Sequence, residues 1–418
     1  MVTLAENELM TRVEGDAPLG RLMRENYWVP FGLSQNLAAG DGPTSVRLFG
    51  ENYVAFRDID GRLGFLDELC PHRRGSLVLA RHEGDGIRCI YHGWKMSAAG
   101  EVVECPTQPL RAERFAANVR LGHYPVHEEG GIAWVWLGGA ETPPFPDLPF
   151  SERYGVRTEI AFARVPCNWL QGLEGGLDSV HAPILHKSVI EETIKKMSGT
   201  TSVQGVRATI DAPPRYETEV ASYGFRACSL RDAGEARTFV RVANYFFPLV
   251  IVVPNGYAGL THLFAFAPVD DTHHLLFFGN YGEKPMTRRE VAGVRDGYEP
   301  DARNMVSLSG DRWSRWGQDR DAMNNGHWSG FCNSALDEDT VVQVSMGPIT
   351  DRTKENLSSS DVAVAQARRL LLDTIAAVGE GALPPGGARG SQPVRVPHPF
   401  EAVLDEGTCW YELDQVPD

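Results

Sequence analysis

Two groups of residues have the types and spacings that hold metals. The first is Cys70-Pro-His72-Arg-Arg-Gly75 followed by Cys89-Ile-Tyr-His92-Gly-Trp94, a Cys-x-His pair and a Cys-x-x-His pair with sixteen residues between them. Two thiolates and two imidazoles make a complete tetrahedral zinc set. The same donors can hold a [2Fe–2S] cluster with both cysteines on one iron and both histidines on the other, which raises the reduction potential above that of an all-cysteine ferredoxin. Each pair is expected at a strand end followed by glycine, where the backbone can turn tightly around a buried object. Pro71, Gly75, Tyr91, Gly93 and Trp94 would then build two facing loops that clamp and partly desolvate a cluster. Cys105 reads as a buried core thiol, and the Pro-rich loop it begins, through Pro109, as a shield for the cluster.

The second group lies between Cys167 and His186. Gln171, Glu174, Asp178 and His181 recur at spacings of 3, 4 and 3, which puts them on one helical face. Leu170, Leu173, Leu177 and Val180 occupy the other side. A polar face on so apolar a helix is expected to point into a buried site. His181 and His186 are five apart, about 140° around an ideal helix and too far to chelate one ion easily. Pro183 between them is expected to distort the helix so that the imidazoles converge. Two histidines still need a carboxylate to complete a facial triad for Fe(II) with positions open for O₂.

Together these stretches resemble the oxygenase α subunit of the Rieske non-haem iron ring-hydroxylating oxygenases, most closely the phthalate dioxygenase type, along nearly the whole chain. Thr11 to Pro30, Gln318-Asp-Arg320 and Ser345 to Thr353 match as well. The resemblance implies a Rieske [2Fe–2S] cluster on Cys70, His72, Cys89 and His92, and a mononuclear iron on His181, His186 and a distal aspartate. That aspartate is Asp339, which aligns better than Asp337 with the following Val-Val-Gln343. It further implies that Asp178 bridges His181 and the His92 of a neighbouring subunit, fixing both tautomers and forming the short electron link. The functional unit is then a head-to-tail homo-oligomer, a trimer or a hexamer.

The implied reaction draws electrons from NAD(P)H through a separate flavin/iron–sulfur reductase and adds O₂ to an aromatic ring as a cis-dihydrodiol. O-demethylation of a methoxy- or phenoxy-substituted acid is the alternative. This branch handles aromatic carboxylates, and a buried carboxylate needs charge-assisted donors. The candidates are Arg207, Arg241 and Ser179. His123, His127, His273 and His274 read as surface or satisfied core positions.

The elements that must position these residues fall into two blocks. Short β-type runs (Val46 to Leu48, Tyr53 to Arg57, Leu63 to Leu66, Ile87 to Tyr91, Ile132 to Leu137) fill the first third, bounded by Gly or Asp turns. A Pro-rich linker, Thr142 to Pro149, marks a boundary, giving an N-terminal all-β Rieske unit over 1–145 and a catalytic unit over 146–418. The second unit alternates the helical stretch Asn168 to His186 with strands at Phe246 to Pro254, Ala236 to Phe247, Thr261 to Pro268 and His274 to Tyr281. That pattern is α+β, and the resemblance implies an antiparallel sheet flanked by helices, of the helix-grip type. A late amphipathic helix spans Ser360 to Val378, with Ser358 to Ser360 supplying the N-cap, and the polar stretch 283–330 forms a covering loop region. Net charge is −15 in 418 residues, which argues against nucleic acid and favours steering toward a basic patch on a partner. No signal peptide or membrane span is visible, and seven cysteines do not form a disulfide framework, so a cytoplasmic protein is expected.

Overall fold

The computed structural model describes residues 2–139, 141–196, 214–255, 260–301, 304–306, 308–387 and 393–413. Two helices, α1 (Leu4–Thr11) and α2 (Pro18–Asn26), open the chain and lead into β1 (Trp28–Leu33). Three small antiparallel sheets follow. The first joins β2 (Thr44–Leu48), β3 (Glu51–Arg57) and β4 (Leu63–Asp67), and the second joins β5 (Arg81–Glu83), β6 (Gly86–Arg88), β7 (Lys95–Ser97) and β8 (Val102–Glu104). β1 pairs with β10 (Ile132–Trp136), which pairs with β9 (Val126–Glu129). The expected strand Ile87 to Tyr91 ends at Arg88, because Cys89 to Gly93 turn back on themselves.

The catalytic sheet has eight strands among the described residues, all antiparallel. They are β11 (Arg157–Val165), β12 (Arg215–Ala221), β13 (Gly224–Gly234), β14 (Arg237–Phe246), β15 (Val250–Pro254), β16 (Leu260–Asp270), β17 (His273–Gly282) and β18 (Phe400–Leu404). Their order is β11-β17-β16-β15-β14-β13-β12, with β18 on β14. Helices α3 (Trp169–Leu177) and α7 (Val362–Gly379) pack on this sheet, α6 (Ala335–Ser345) packs on α3, and α4 (Ala182–Leu185) packs with α5 (Lys187–Lys196), giving an α+β helix-grip arrangement. The run Phe246 to Pro254 is not one strand. Phe247-Pro248-Leu249 turns the chain between β14 and β15, as expected where a proline cannot donate to a ladder.

One continuous apolar core runs from Met10 to Val396, and a smaller one surrounds Cys70 and Cys89. The halves are tied by the β2–β3 turn. Phe49 and Gly50 both have positive φ, the conformation of a two-residue hairpin turn. Phe49 is fully buried, and the two amides donate to Pro268 O at 3.0 Å and Val269 O at 2.8 Å on β16. At the other end, α7 begins two residues later than expected. Asp361 is its N-cap and accepts from Ser358 N at 2.6 Å, so the serine caps the aspartate rather than the helix.

Candidate iron centres and substrate cavity

The first donor set is built on two similar loops. Cys70 N donates to Gly75 O at 2.9 Å and Arg74 N to Cys70 O at 2.9 Å. Cys89 N donates to Trp94 O at 2.8 Å and Gly93 N to Cys89 O at 3.0 Å. The left-handed position is Gly93 in the second loop but Arg74 in the first, so Gly75 does not make the turn as its type suggested. A Cβ there would lie 3.8 Å from Cys89 Sγ, an ordinary contact distance. The loops bring the rings of His72 and His92 to 4.5 Å, while His72 stacks on Trp94 at 4.6 Å. Trp94 donates to Thr107 Oγ1 at 3.0 Å, and Pro106 closes on Gly93, so the loop after Cys105 covers this end.

Both cysteines are buried. Burial, with the Cys89 thiol alongside, pushes Cys70 up to about 11. Among the described residues His72 Nδ1 is buried with no hydrogen-bond partner, an atom that calls for a bond from something else. Yet the four donors do not converge on one point. Among the described residues, only His181, His186 and Asp339 bring three ligand atoms within 4.8 Å of one another. A wider Cys₂His₂ set suits two irons rather than a single zinc.

The second set depends on a helix that ends early. Asn168 caps α3 by accepting from Leu170 N at 3.2 Å. The helix carries Gly172, Gly175 and Gly176, each costing about 1 kcal/mol against alanine. Two of them are dictated by contact: a Cβ at Gly172 would meet His274 Nε2 at 2.5 Å, and one at Gly176 would meet Phe266 at 3.1 Å. Tertiary packing onto β16 and β17 therefore holds α3. It ends at Asp178, whose backbone is extended and whose Oδ1 accepts from Val180 N at 2.8 Å. Pro183 causes no kink. It sits in the first turn of α4, where a missing N–H costs little. The break at Asp178, not the proline, lets His181 and His186 approach with ring centroids 5.4 Å apart.

The expected polar face is also divided. Only Asp178 and His181 reach the cavity. Gln171 donates to Gln343 O at 2.8 Å and accepts from Thr350 N at 3.0 Å. Glu174 lies between Arg352 and Arg368, each within 2.7 Å. Both are structural.

Asp339, on α6, stands with Oδ1 3.4 Å from His181 Nε2 and 3.1 Å from His186 Nε2. Asp337, on the same helix, is buried away from them. Burial opposes a charged imidazole, but Asp339 and Glu338 hold His186 up at about 10, and the two histidines hold Asp339 well below the usual carboxylate range. The cluster attracts positive charge, as a cation site must. Asp178 Oδ2 lies 3.8 Å from His181 Nδ1 on the other side of that ring. Glu338 was given no role from sequence. Its Oε2 accepts from His186 Nδ1 at 2.7 Å, and the only hint in the sequence is three consecutive acids, Asp337 to Asp339.

From these ligands a cavity of about 280 Å³ runs between α3, α6 and the sheet. Phe264, Phe266, Phe278, Leu276, Val253 and Leu336 make its walls apolar. Arg241, Asn255, His262 and Glu401 make one end polar. Arg241 donates through Nε to Pro254 O at 3.1 Å and through Nη2 to the same oxygen. Burial depresses its charge, and Glu401, its cross-strand partner, offsets this. Burial and Arg241 push His262 down to about 3, so it is neutral. Among the described residues, His262 Nδ1 and Asn255 Nδ2 are buried without partners. Ser179 lines the cavity and, with Tyr216 and Arg241, a small pocket beside it. Arg207 lies outside the described residues. His127 stacks on Phe145 at 4.1 Å and His274 Nδ1 pairs with Cys167 O at 2.9 Å, neither at a metal site.

This fold and these donor sets define an oxygenase with a Rieske [2Fe–2S] domain and a mononuclear iron domain. Residues 27–118 match the Rieske [2Fe-2S] domain family, and residues 135–417 match the family described as LigXa C-terminal domain like. The chain belongs to the Rieske non-haem iron oxygenases. It is 37% identical to the phthalate 4,5-dioxygenase oxygenase subunit of Pseudomonas putida, over 98% of this chain and 94% of that one. It is 31% identical to the 3-chlorobenzoate-3,4-dioxygenase oxygenase subunit of Comamonas testosteroni, over 92% of each. It is also 30% identical to the 5,5'-dehydrodivanillate O-demethylase oxygenase subunit of a Sphingobium species, over 91% of this chain and 82% of that one. The terminal oxygenase of carbazole 1,9a-dioxygenase from Novosphingobium sp. KA1 shares the fold, with TM-score 0.58, 22% identity and coverage of 88% and 97%. No described helix is long and apolar enough to cross a membrane.

Proposed function

We propose that this chain is the terminal oxygenase component of a multicomponent system that cis-dihydroxylates an aromatic carboxylate such as phthalate or a related benzoate. Cys70, His72, Cys89 and His92 hold the cluster in the unit 1–145. His181, His186 and Asp339 hold the iron in the unit 146–418. When bound, the cluster supplies single electrons from an NAD(P)H-linked reductase and the iron supplies a site for O₂ activation. The chain's own residues do the rest. The phenylalanine walls exclude water and lie against a ring, while Arg241, with Ser179 and Arg207, takes the carboxylate. Asp178 links His181 to the His92 of a neighbouring subunit in a homotrimer or hexamer.

The observation that carries this reading is one apolar cavity with the His/His/Asp set on its wall and a buried guanidinium at its polar end. O-demethylation in the same cavity is the second reading, favoured by the identity to a demethylase subunit. The test is reconstitution with a flavin/ferredoxin reductase against benzene dicarboxylates, halobenzoates, phenoxybenzoates and methoxybenzoates. The protein should carry about three irons and two acid-labile sulfides per chain. Consumption of NADH and O₂ should be tightly coupled to one acid. Zinc without sulfide refutes the metal assignment, and uncoupled peroxide with every acid refutes the substrate class.

A further inference from the structure

We infer that Glu338 is a positioning residue for the iron site. It fixes His186 in one tautomer and, through Ser329, ties that imidazole to the segment from Gln318 to Phe331. The inference rests on the reading of His186 as an iron ligand.

Glu338 is fully buried. Its two oxygens are both engaged, one by His186 Nδ1 at 2.7 Å and the other by the Ser329 hydroxyl at 2.5 Å. On the far side of the same ring, His186 Nε2 faces Asp339 Oδ1 at 3.1 Å. An imidazole that donates through Nδ1 to a carboxylate keeps its Nε2 lone pair bare, and here that lone pair faces the metal side. Glu338 and Asp339 are neighbours on α6, about 100° apart around the axis. One helix therefore presents an oxygen ligand to the cavity and a second carboxylate to the back of the ligating ring.

Charge supports the same assignment. Among the described residues, the contacts of Glu338 and Asp339 within 4.0 Å that have ion-pair character are with His181 and His186, and none is with Lys or Arg. A buried carboxylate held by one ring N–H and one hydroxyl is costly unless positive charge reaches it. A metal on Nε2 polarises the imidazole and delivers that charge to its Nδ1–H.

Ser329 extends the chain of contacts outward. Its hydroxyl accepts from Phe331 N at 3.1 Å, and its carbonyl accepts from Gln318 Nε2 at 2.7 Å. Next to it, Trp328 N donates to Ser188 Oγ at 2.9 Å, on the helix that follows His186. The segment from Gln318 to Phe331 is thus pinned both to α5 and to the carboxylate behind the ligand.

The test compares wild type with H186A, E338A, E338Q and S329A, all with the Rieske absorption and EPR signals intact as the internal control. Iron affinity is measured by chelator competition, and the His186 tautomer by ¹⁵N NMR after removal of the mononuclear iron alone. E338A should lower iron affinity about 10- to 100-fold and move the ring proton from Nδ1 to Nε2. E338Q should recover most of the affinity, because its amide oxygen still accepts from Nδ1. S329A should show a smaller loss. Unchanged affinity and tautomer in E338A, with iron lost from H186A, overturns the inference. Iron retained by H186A overturns instead the reading of His186 as a ligand. A merely structural Glu338 predicts equal losses in E338A and E338Q with the tautomer unmoved, which also overturns it. If E338A fails to fold, wild-type affinity in S329A together with E338Q as weak as H186A decides against the proposal.

Discussion

Arg241 keeps a permanent charge in a cavity whose walls are mostly apolar. Two of its donors are spent on one backbone carbonyl, Pro254 O, and Glu401 tempers the field from across the strand pair. Among the described residues its side-chain hydrogen bonds go to that carbonyl alone, which leaves N–H groups for an anionic substrate. Replacing Arg241 by Met keeps the bulk and removes the charge-assisted bonds, worth about 1.5–3 kcal/mol. KM for the aromatic acid should therefore rise roughly 10- to 100-fold, with iron and sulfide content unchanged. An unaltered KM would show that the substrate carboxylate sits elsewhere. The neutral His262 and the amide of Asn255 lie at the same end, and neither could be picked from sequence, where they are an isolated histidine and asparagine near a turn.

Among the elements, α3 decides how the iron ligands are presented. Its period grouped Gln171, Glu174, Asp178 and His181 on one face, but the helix ends at Leu177, so that only Gln171 and Glu174 lie on it. Glu174 faces two guanidiniums, Arg352 fully buried and Arg368 nearly so; Arg368 anchors α3 to α7, and Arg352 anchors it to the turn Arg352–Lys354. Burial alone would raise the carboxyl, but Arg352 and Arg368 outweigh it and hold it below the usual range. The folded value is depressed, so the stabilisation is fully present above the unfolded value of about 4.3 and is lost as pH falls through the lower folded value. Glu174→Gln should cost about 3–5 kcal/mol at neutral pH by leaving buried cations short of their carboxylate. The gap in Tm between the two proteins should hold from pH 7 to about 5 and narrow below about pH 4. A gap independent of pH over that range would exclude the ionised pair as its origin.

At the scale of the whole molecule, the unit around the cluster docks on the catalytic sheet through the Phe49-Gly50 turn, and α1 and α2 reach back to the same core. The loop Cys89 to Gly93 exposes Ile90 and Tyr91, while Asp178 lies beside His181 with a part-exposed side chain. If electrons cross from one subunit to the next, a chain lacking the cluster and a chain lacking the bridge should complement each other. Co-expressed Cys70→Ser and Asp178→Asn chains, each inactive alone, should regain activity at about a quarter of the head-to-tail interfaces in a random mixture. Mixed oligomers that form but stay inactive would refute the crossed path.

The sequence by itself determined the donor types, the two loops around Cys70 and Cys89, and the α+β order of elements. These follow from spacings of a few residues, where backbone geometry leaves little choice. Only the tertiary structure decided where α3 ends, how near Asp339 stands to both histidines, and that Glu338 stands behind His186. Those outcomes depend on how α6 is rotated and on how closely Gly172 and Gly176 let α3 approach the sheet. Both are settled by packing between segments far apart in the chain, and no local pattern encodes them.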